Sequence, residues 1–389
     1  MATNNTSPPR WPTSIANLKA FKPGDLDLPV TNPVLEFPLF TDAVVIEEAT
    51  FGPYAFFNTE DFREGIVRTA IVLRYVACDY EAHREPRTYD ELHKKIYHGG
   101  YAQDELAALA SLILGIRLGA GSVSREFEFK GDPLGRPTER GGRGKPFFRT
   151  PRNYVIPSTA SGQHNLQDLL RIEELKDASQ KKAITIVRSA RMYQQALWVA
   201  ESEPSMTWLL MVSALETAAN EWQRSRRGPV ERLKESKPEL HTYLSGLSDK
   251  SILNTVAGHL AGSLGITMKF VSFVQAFRPD PPPQRPPGRF QFPWDDEDWT
   301  NALKTIYGYR SKALHEGIPF PAPMCSPPIR RPDVGVRLPD LGVCGEFPTV
   351  LAHREKGAPL IRADLPIHLH VFEYVTRNVL LKWWSSAAK

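Results

Sequence analysis

A chain of 389 residues with 41% hydrophobic and 24% charged positions can bury a large core, and its length fits two domains better than one. The net charge of +4 permits an anionic partner without requiring one. Three scattered cysteines exclude a disulfide framework, and no apolar run reaches the roughly 20 residues that span a bilayer, so the expectation is a cytoplasmic protein with no membrane partner.

Residues 1–36 are polar and interrupted by proline, the composition of an extended arm that Trp11 can dock, and the first 21 residues lack the apolar segment of a signal peptide. Residues 43–51 are β-branched enough for a strand, and Gly52-Pro53 turns the chain into a second short strand at 54–57. Thr59 followed by Glu60 and Asp61 reads as an N-cap with an acidic first turn, which predicts a helix through Ile66, Ile71 and Val72 to about Cys78. Residues 104–118, rich in Ala and Leu, predict a helix closed by Gly119 and Gly121, and the alternation over 124–129 predicts a strand. A Gly/Pro loop follows over 131–152. It carries Arg136, Arg140, Arg143, Lys145 and Arg149 beside Phe147 and Phe148, a pattern that can track a nucleic-acid backbone while an aromatic ring stacks a base. Lys145 is followed by Pro146 rather than Ser or Thr, so this is not a phosphate-binding loop of the nucleotide-hydrolysing kind. Together these signals give a smaller α+β domain over residues 37–160.

From Asn165 onward helices dominate, which makes the fold mainly α, with a helical domain over 165–389. A short helix is expected at 166–175, a longer one at 183–200, and an apolar third at 206–223 with Leu209, Val212, Leu215, Ala219 and Trp222 at helical spacing. Residues 230–247 read as helical in part, and 252–277 as helical but weakened by Gly258, Gly262 and Gly265. The prolines between Pro279 and Pro287 forbid helix and ladder strand, so the insertion at 279–293 reads as a stiff surface excursion. Asp295, Asp296, Glu297 and Asp298 open a helix whose acidic first turn suits the dipole, running through Leu303 and Ile306 until Gly317 and Pro319 end it. A second Pro-rich insertion spans 318–348, and 365–384 predicts a closing helix.

The end of that acidic-capped helix reads Tyr309-Arg310-Ser311-Lys312-Ala313-Leu314-His315-Glu316-Gly317. A guanidinium that keeps its charge and an imidazole, the side chain suited to proton exchange near neutral pH, fit cleavage of a phosphodiester. Helix ends also collect both residues as plain C-terminal caps. Five residues at about 100° each set Arg310 and His315 roughly 140° apart on a regular helix. Either the helix unwinds before His315, or the two side chains converge on a substrate with help from a second subunit. Glu216 and Asn220 lie one turn apart on the apolar third helix, and a buried Glu216 needs a partner, for which Arg310 is the candidate. His368 and His370 with Cys325 and Cys344 lack the ligand spacing of a structural zinc site, so no metal or other cofactor is expected.

The Arg310-x4-His315 spacing resembles the Arg-x4-6-His signature of HEPN-domain ribonucleases. The run Ala190-Arg191-Met192-Tyr193-Gln194-Gln195-Ala196-Leu197-Trp198, with residues 208–220 after it, looks like the opening helix pair of bacterial Apea-like HEPN proteins. Residues 112–118 and 131–137 are similar to stretches upstream in such proteins. This resemblance implies a HEPN-like bundle of four or five helices and a homodimer in which paired motifs face each other. It also implies a metal-independent endoribonuclease in which the RNA 2′-OH attacks the adjacent phosphorus. His315 is then the acid/base and Arg310 the phosphate clamp, with Lys312, Glu216 and Asn220 in support. Ser311 stands where the family often has Asn, Asp or His; it can donate a hydrogen bond but cannot share the proton work. The implied setting is prokaryotic antiphage defence or stress, with the N-terminal domain sensing a regulatory protein or phage-derived trigger. The alternative is a catalytically silent module that binds RNA or a protein partner, or a scaffold whose Pro-rich segments dock one.

Overall fold

The computed structural model describes residues 11–22, 32–59, 68–78, 101–127, 138–139, 154–222, 228–247, 250–260, 265–328, 330–331, 343–348, 354–355, 358–359 and 364–386. Among them the chain is mainly helical with one seven-stranded sheet and three two-stranded pairings, and no helix is long and apolar enough to cross a membrane.

Of the expected arm, residues 1–10 and 23–31 lie outside the described residues, and the described part is not extended throughout. Thr13–Ala20 forms helix α1, and Val34–Thr41 forms β1 at the centre of the sheet. Short strands β2 (Val44–Ile46), β3 (Ala49–Phe51) and β4 (Tyr54–Asn58) follow, and β3 and β4 make the expected hairpin around Gly52-Pro53. Arg68–Val76 is strand β5, not the helix expected to run to Cys78; residues 60–67 of that expected helix lie outside the described residues. Ile71, Leu73 and Tyr75 alternate into the core, so the period of two wins over the capping signal at Thr59.

Helix α2 (Ala102–Leu114) stops four residues before the expected end, because Gly115 takes the left-handed conformation at φ +71°. The short strands β6 (Gly119–Ala120), β7 (Arg125–Phe127) and β8 (Thr138–Glu139) complete a sheet of order β3-β4-β5-β1-β7-β8, with β6 also on β1. Pro38 sits inside β1, opposite Val72 of β5. Its missing N–H faces the other side, where the ladder is interrupted between β6 and β7, and there its carbonyl accepts the Gly121 amide at 2.8 Å.

Strand β9 (Gln163–Asn165) pairs in parallel with β2, so backbone hydrogen bonds cross the boundary drawn near residue 160. A 3-10 helix (Leu166–Lys176) leads into α3 (Gln180–Val199) and α4 (Pro204–Trp222), with Pro204 as the first residue of α4. The expected helix at 230–247 is two, α5 (Pro229–Ser236) and α6 (Pro238–Ser245), because Pro238 must restart it. The 252–277 stretch likewise gives α7 (Lys250–Leu260) and α8 (Ile266–Ala276). Then come α9 (Asp296–His315) and α10 (Leu369–Ser385). One hydrophobic core runs from Ile15 to Trp384 and takes side chains from sheet and helices alike, while α5, α6 and α7 share a small cluster of their own.

The first Pro-rich insertion lies at the surface as expected, with Asp280, Pro281, Pro283, Gln284 and Pro287 exposed, and the described parts of both insertions are tied down. Arg285 grips the Glu346 carboxylate at 2.8 and 2.7 Å, and the same carboxylate accepts the Phe292 amide at 2.6 Å. Pro279 and Pro286 are buried, as are Phe320 and Met324 just beyond the motif helix, which weakens the view of either insertion as a free docking ribbon. Trp208 stacks between Phe320 at 5.3 Å and Phe372 at 4.8 Å.

Helix α1 is capped from outside. Pro12 offers its first turn no side-chain acceptor, and the carboxylate of Glu105 on α2 takes the amides of Ser14 at 2.8 Å and Thr13 at 3.2 Å. Burial pushes the Glu105 carboxyl up to about 7 despite those hydrogen bonds. The folded state therefore keeps a proton that the unfolded chain has already lost, and this group's contribution to stability falls as pH rises from about 4.5 to about 7, by about 3 kcal/mol at most. Urea unfolding of wild type against Glu105→Gln at pH 5 and pH 8 checks this: the variant, which cannot ionise, loses that part of the pH dependence.

Candidate active site

Asp295 starts α9 by accepting the Asp298 amide at 2.9 Å, and the acidic first turn suits the positive end of the helix dipole. Trp299, Ala302, Leu303, Ile306 and Tyr307 form its buried stripe. Arg310 continues that stripe at the next helical step, which is why a guanidinium points toward the bundle rather than into water. Its side chain is 20% exposed and that of Glu216, on α4, 12%.

Arg310 Nη2 donates to Glu216 Oε2 at 2.7 Å, as a buried carboxylate there requires. The Tyr307 hydroxyl donates to Glu216 Oε1 at 2.6 Å, and the Arg310 guanidinium lies 5.5 Å from the Tyr307 ring centroid. Burial, with the bond to Glu216, pushes the Tyr307 hydroxyl far above its ordinary range, so it serves as a fixed neutral donor and not as a base. Arg310 Nε is buried and has no hydrogen-bond partner among the described residues. A donor closed off from solvent in this way is a cost of the cluster and is not open to a ligand.

The other motif residues stand apart from this triad. Helix α9 stays regular through His315, so of the two alternatives the unwinding before His315 does not occur, and Arg310 and His315 remain on different sides of the helix. His315, Lys312 and Leu314 are exposed, and Ser311 is half-buried. The Glu316 and Ile318 amides both return to the Lys312 carbonyl, at 2.8 and 3.4 Å, and Gly317 turns the chain at φ +69°. Lys312 Nζ lies 5.7 Å from the Tyr309 ring, and the Tyr309 hydroxyl donates to the Asp364 carbonyl at 2.8 Å. Asn220 is exposed at the end of α4 and takes no part in the Glu216 hydrogen bonds. The basic residues Arg136, Arg140, Arg143, Lys145 and Arg149 lie outside the described residues.

Sequence reasoning missed Tyr307. The signal was its place three residues before Arg310, which on a helix sets both over the same neighbour. His368 and His370 sit with ring centroids 5.6 Å apart, and among the described residues no cluster of three or more His, Cys, Asp or Glu could hold a metal ion. Comparison with family models, curated proteins and solved structures gives no match to this chain.

Removing Glu216 leaves a largely buried guanidinium without its counter-charge. Glu216→Ala is expected to destabilise the fold by about 2 to 3 kcal/mol, allowing for the partial exposure of the pair. Adding Arg310→Met to that variant recovers part of the loss. The double-mutant cycle, read by urea unfolding, gives a coupling of about 1 to 2 kcal/mol, and a coupling near zero rejects the pair as a structural unit.

Proposed function

We propose that this chain is a metal-independent endoribonuclease of the HEPN type, with Arg310 and His315 as its working residues and a second copy of the chain completing the site. The observation that carries this reading is the state of Arg310. Glu216 and Tyr307 hold the guanidinium in one orientation while a fifth of the side chain stays exposed, and an exposed imidazole follows five residues later on the same helix. A cation fixed before substrate arrives costs no reorganisation when charge develops on a phosphoryl oxygen.

In the reaction, the substrate 2′-OH gives up its proton to an imidazole and attacks the adjacent phosphorus. The bond from phosphorus to the 5′-oxygen breaks, and that oxygen takes a proton as it leaves, giving a 2′,3′-cyclic phosphate and a 5′-hydroxyl end. His315 moves the protons. Arg310 holds the phosphate, with Ser311 and Lys312 adding a hydrogen bond and a charge at its rim. Because one regular helix sets Arg310 and His315 roughly 140° apart, one phosphate reaches both kinds of side chain when two α9 ends face each other. RNA is the substrate class, since DNA lacks the attacking hydroxyl. A role in antiphage defence or stress, with a trigger acting through the N-terminal sheet, fits an enzyme that would otherwise damage its own cell's RNA.

One observation favours a second reading, a silent module that binds RNA or a protein. Glu216 already spends part of the Arg310 charge, as in an arginine kept for structure.

Cleavage of a mixed RNA pool by the purified protein in EDTA separates the two. The expected result is cyclic-phosphate ends that vanish with His315→Ala and fall at least a hundredfold, about 2.7 kcal/mol of barrier, with Arg310→Ala. RNA binding without turnover in wild type, unchanged by His315→Ala, establishes the silent module instead.

A further inference from the structure

Helix α9 has a second face that the Glu216 cluster does not use. The stripe from Trp299 to Tyr307 turns one side of the helix to the core, and the opposite side carries Asn301, Lys304, Gly308, Lys312 and His315, all exposed. At about 100° per residue these five fall within about 40° of Gly308, so they form one straight row along the helix. Four residues rise about 6 Å, which sets one lysine that far to either side of the glycine.

Nothing inside the chain calls for glycine at 308. It lies within a regular helix of 20 residues, where glycine is the least favourable residue after proline. A Cβ there would meet no atom within 4 Å, so no neighbour in the fold needs the space. What a bare helical backbone offers is close approach from outside.

The charge on either side of this notch is of one sign. No acidic residue occurs between Asn301 and His315; Glu297 lies beyond the N-terminal end of the row and Glu316 just past its other end. Neither lysine is drawn into an ion pair among the described residues: Lys304 is exposed, and Lys312, also exposed, lies 5.7 Å from the Tyr309 ring. Two such cations flanking a notch suit an anionic chain laid along the helix, which sinks onto Gly308 while its charges meet the lysines. A second α9 fits the notch badly. A two-fold crossing centred on Gly308 sets lysine against lysine whichever way the helices run, and like charges facing each other are costly.

We propose that this row is the track of the RNA strand, with phosphates at Lys304 and Lys312, closest approach at Gly308, and the strand led to His315 at the end of the row. The proposal rests on the reading of α9 as the nuclease helix and adds Lys304 and Gly308 to it as substrate-binding residues away from the cleaved bond. The row carries no aromatic side chain to stack a base, so its grip is on the backbone and independent of sequence.

Fluorescence anisotropy with a labelled single-stranded RNA oligonucleotide, 2′-O-methylated at every position, tests the track. That probe lacks the attacking hydroxyl, so binding is read apart from cleavage. The wild-type protein is expected to bind it at low salt, and Lys304→Ala to weaken binding about three- to tenfold and lower the slope of log affinity against log salt by about 0.7. Gly308→Gln puts a better helix former in the notch, so its urea midpoint holds or rises while affinity falls at least about fivefold; a purely structural role would move the two together. The track is overturned if the wild-type protein does not bind the probe, if either variant binds as wild type does, or if Gly308→Gln changes the mass in sedimentation, which assigns the glycine to a contact between copies. Binding with these variant effects but no cleavage of unmodified RNA rejects the nuclease and keeps the track.

Discussion

A guanidinium buried to 0% exposure cannot be left to water, and Arg117 is such a group. It stands just past the end of α2 and reaches Asp42, in the bend after β1, at 2.6 Å, Glu201 beyond α3 at 3.4 Å, and the Leu197 carbonyl within α3 at 2.9 Å. Losing one partner of a buried pair costs about 3 to 5 kcal/mol, because the remaining charge is stranded. Burial raises the carboxyls of Asp42 and Glu201, and the pull of Arg117 works against that rise. The sheet and the helical bundle are thus fixed to each other by charge as well as by apolar packing, and the β2–β9 pairing adds backbone hydrogen bonds across the same seam. A second buried carboxylate does similar work inside the sheet, where Glu36 on β1 draws in Arg74 of β5 and Arg125 of β7 from the two neighbouring strands.

The rigid frame matters for the motif because of what it forbids. Helix α9 is clamped at its start by the Asp295 cap and along its length by the Trp299 to Tyr307 stripe, and its last turn closes on the Lys312 carbonyl. Nothing in that arrangement lets the helix rotate His315 onto the Arg310 side. The Glu216 pair then sets a balance. It orients the guanidinium at low entropic cost, and it also competes with any phosphate for the same charge. The fifth of the Arg310 side chain that stays exposed is the part open to a phosphate.

Much of this was legible in the residues, and the exceptions have physical causes. The start and stop of α9 follow from Asp295 and Gly317, and the pairing of Glu216 with Arg310 from the need of a buried carboxylate for a cation. Strand β1 was hidden by Pro38, which sequence rules exclude from a central strand unless a gap in the ladder receives its missing N–H. Strand β5 was masked by a convincing cap at Thr59, although Thr69, Ile71, Val72, Tyr75 and Val76 are residues that fit a pleated surface. The prolines at 279–287 correctly announced irregular backbone, but composition could not show that Arg285 would be drawn inward by Glu346. His164 and His370 share a cavity only because α10 returns past the end of α2, a long-range fact that no local pattern encodes.

That cavity and the motif meet in one short run of chain. Tyr309, next to Arg310, donates its hydroxyl to the Asp364 carbonyl. Beyond Asp364, Leu365 and Ile367 are buried, the His368 amide donates to the Glu346 carbonyl at 3.0 Å, and α10 begins with the residues that wall the cavity. Glu346 in turn holds the Pro-rich insertion that forms the opposite wall. Proximity of this kind does not by itself amount to coupling, which requires an element with two arrangements that both sites bias. What the packing does settle is the route: the run 364–371 ties Tyr309, beside Arg310, to the cavity wall, so a strain at either end has this one short run to cross.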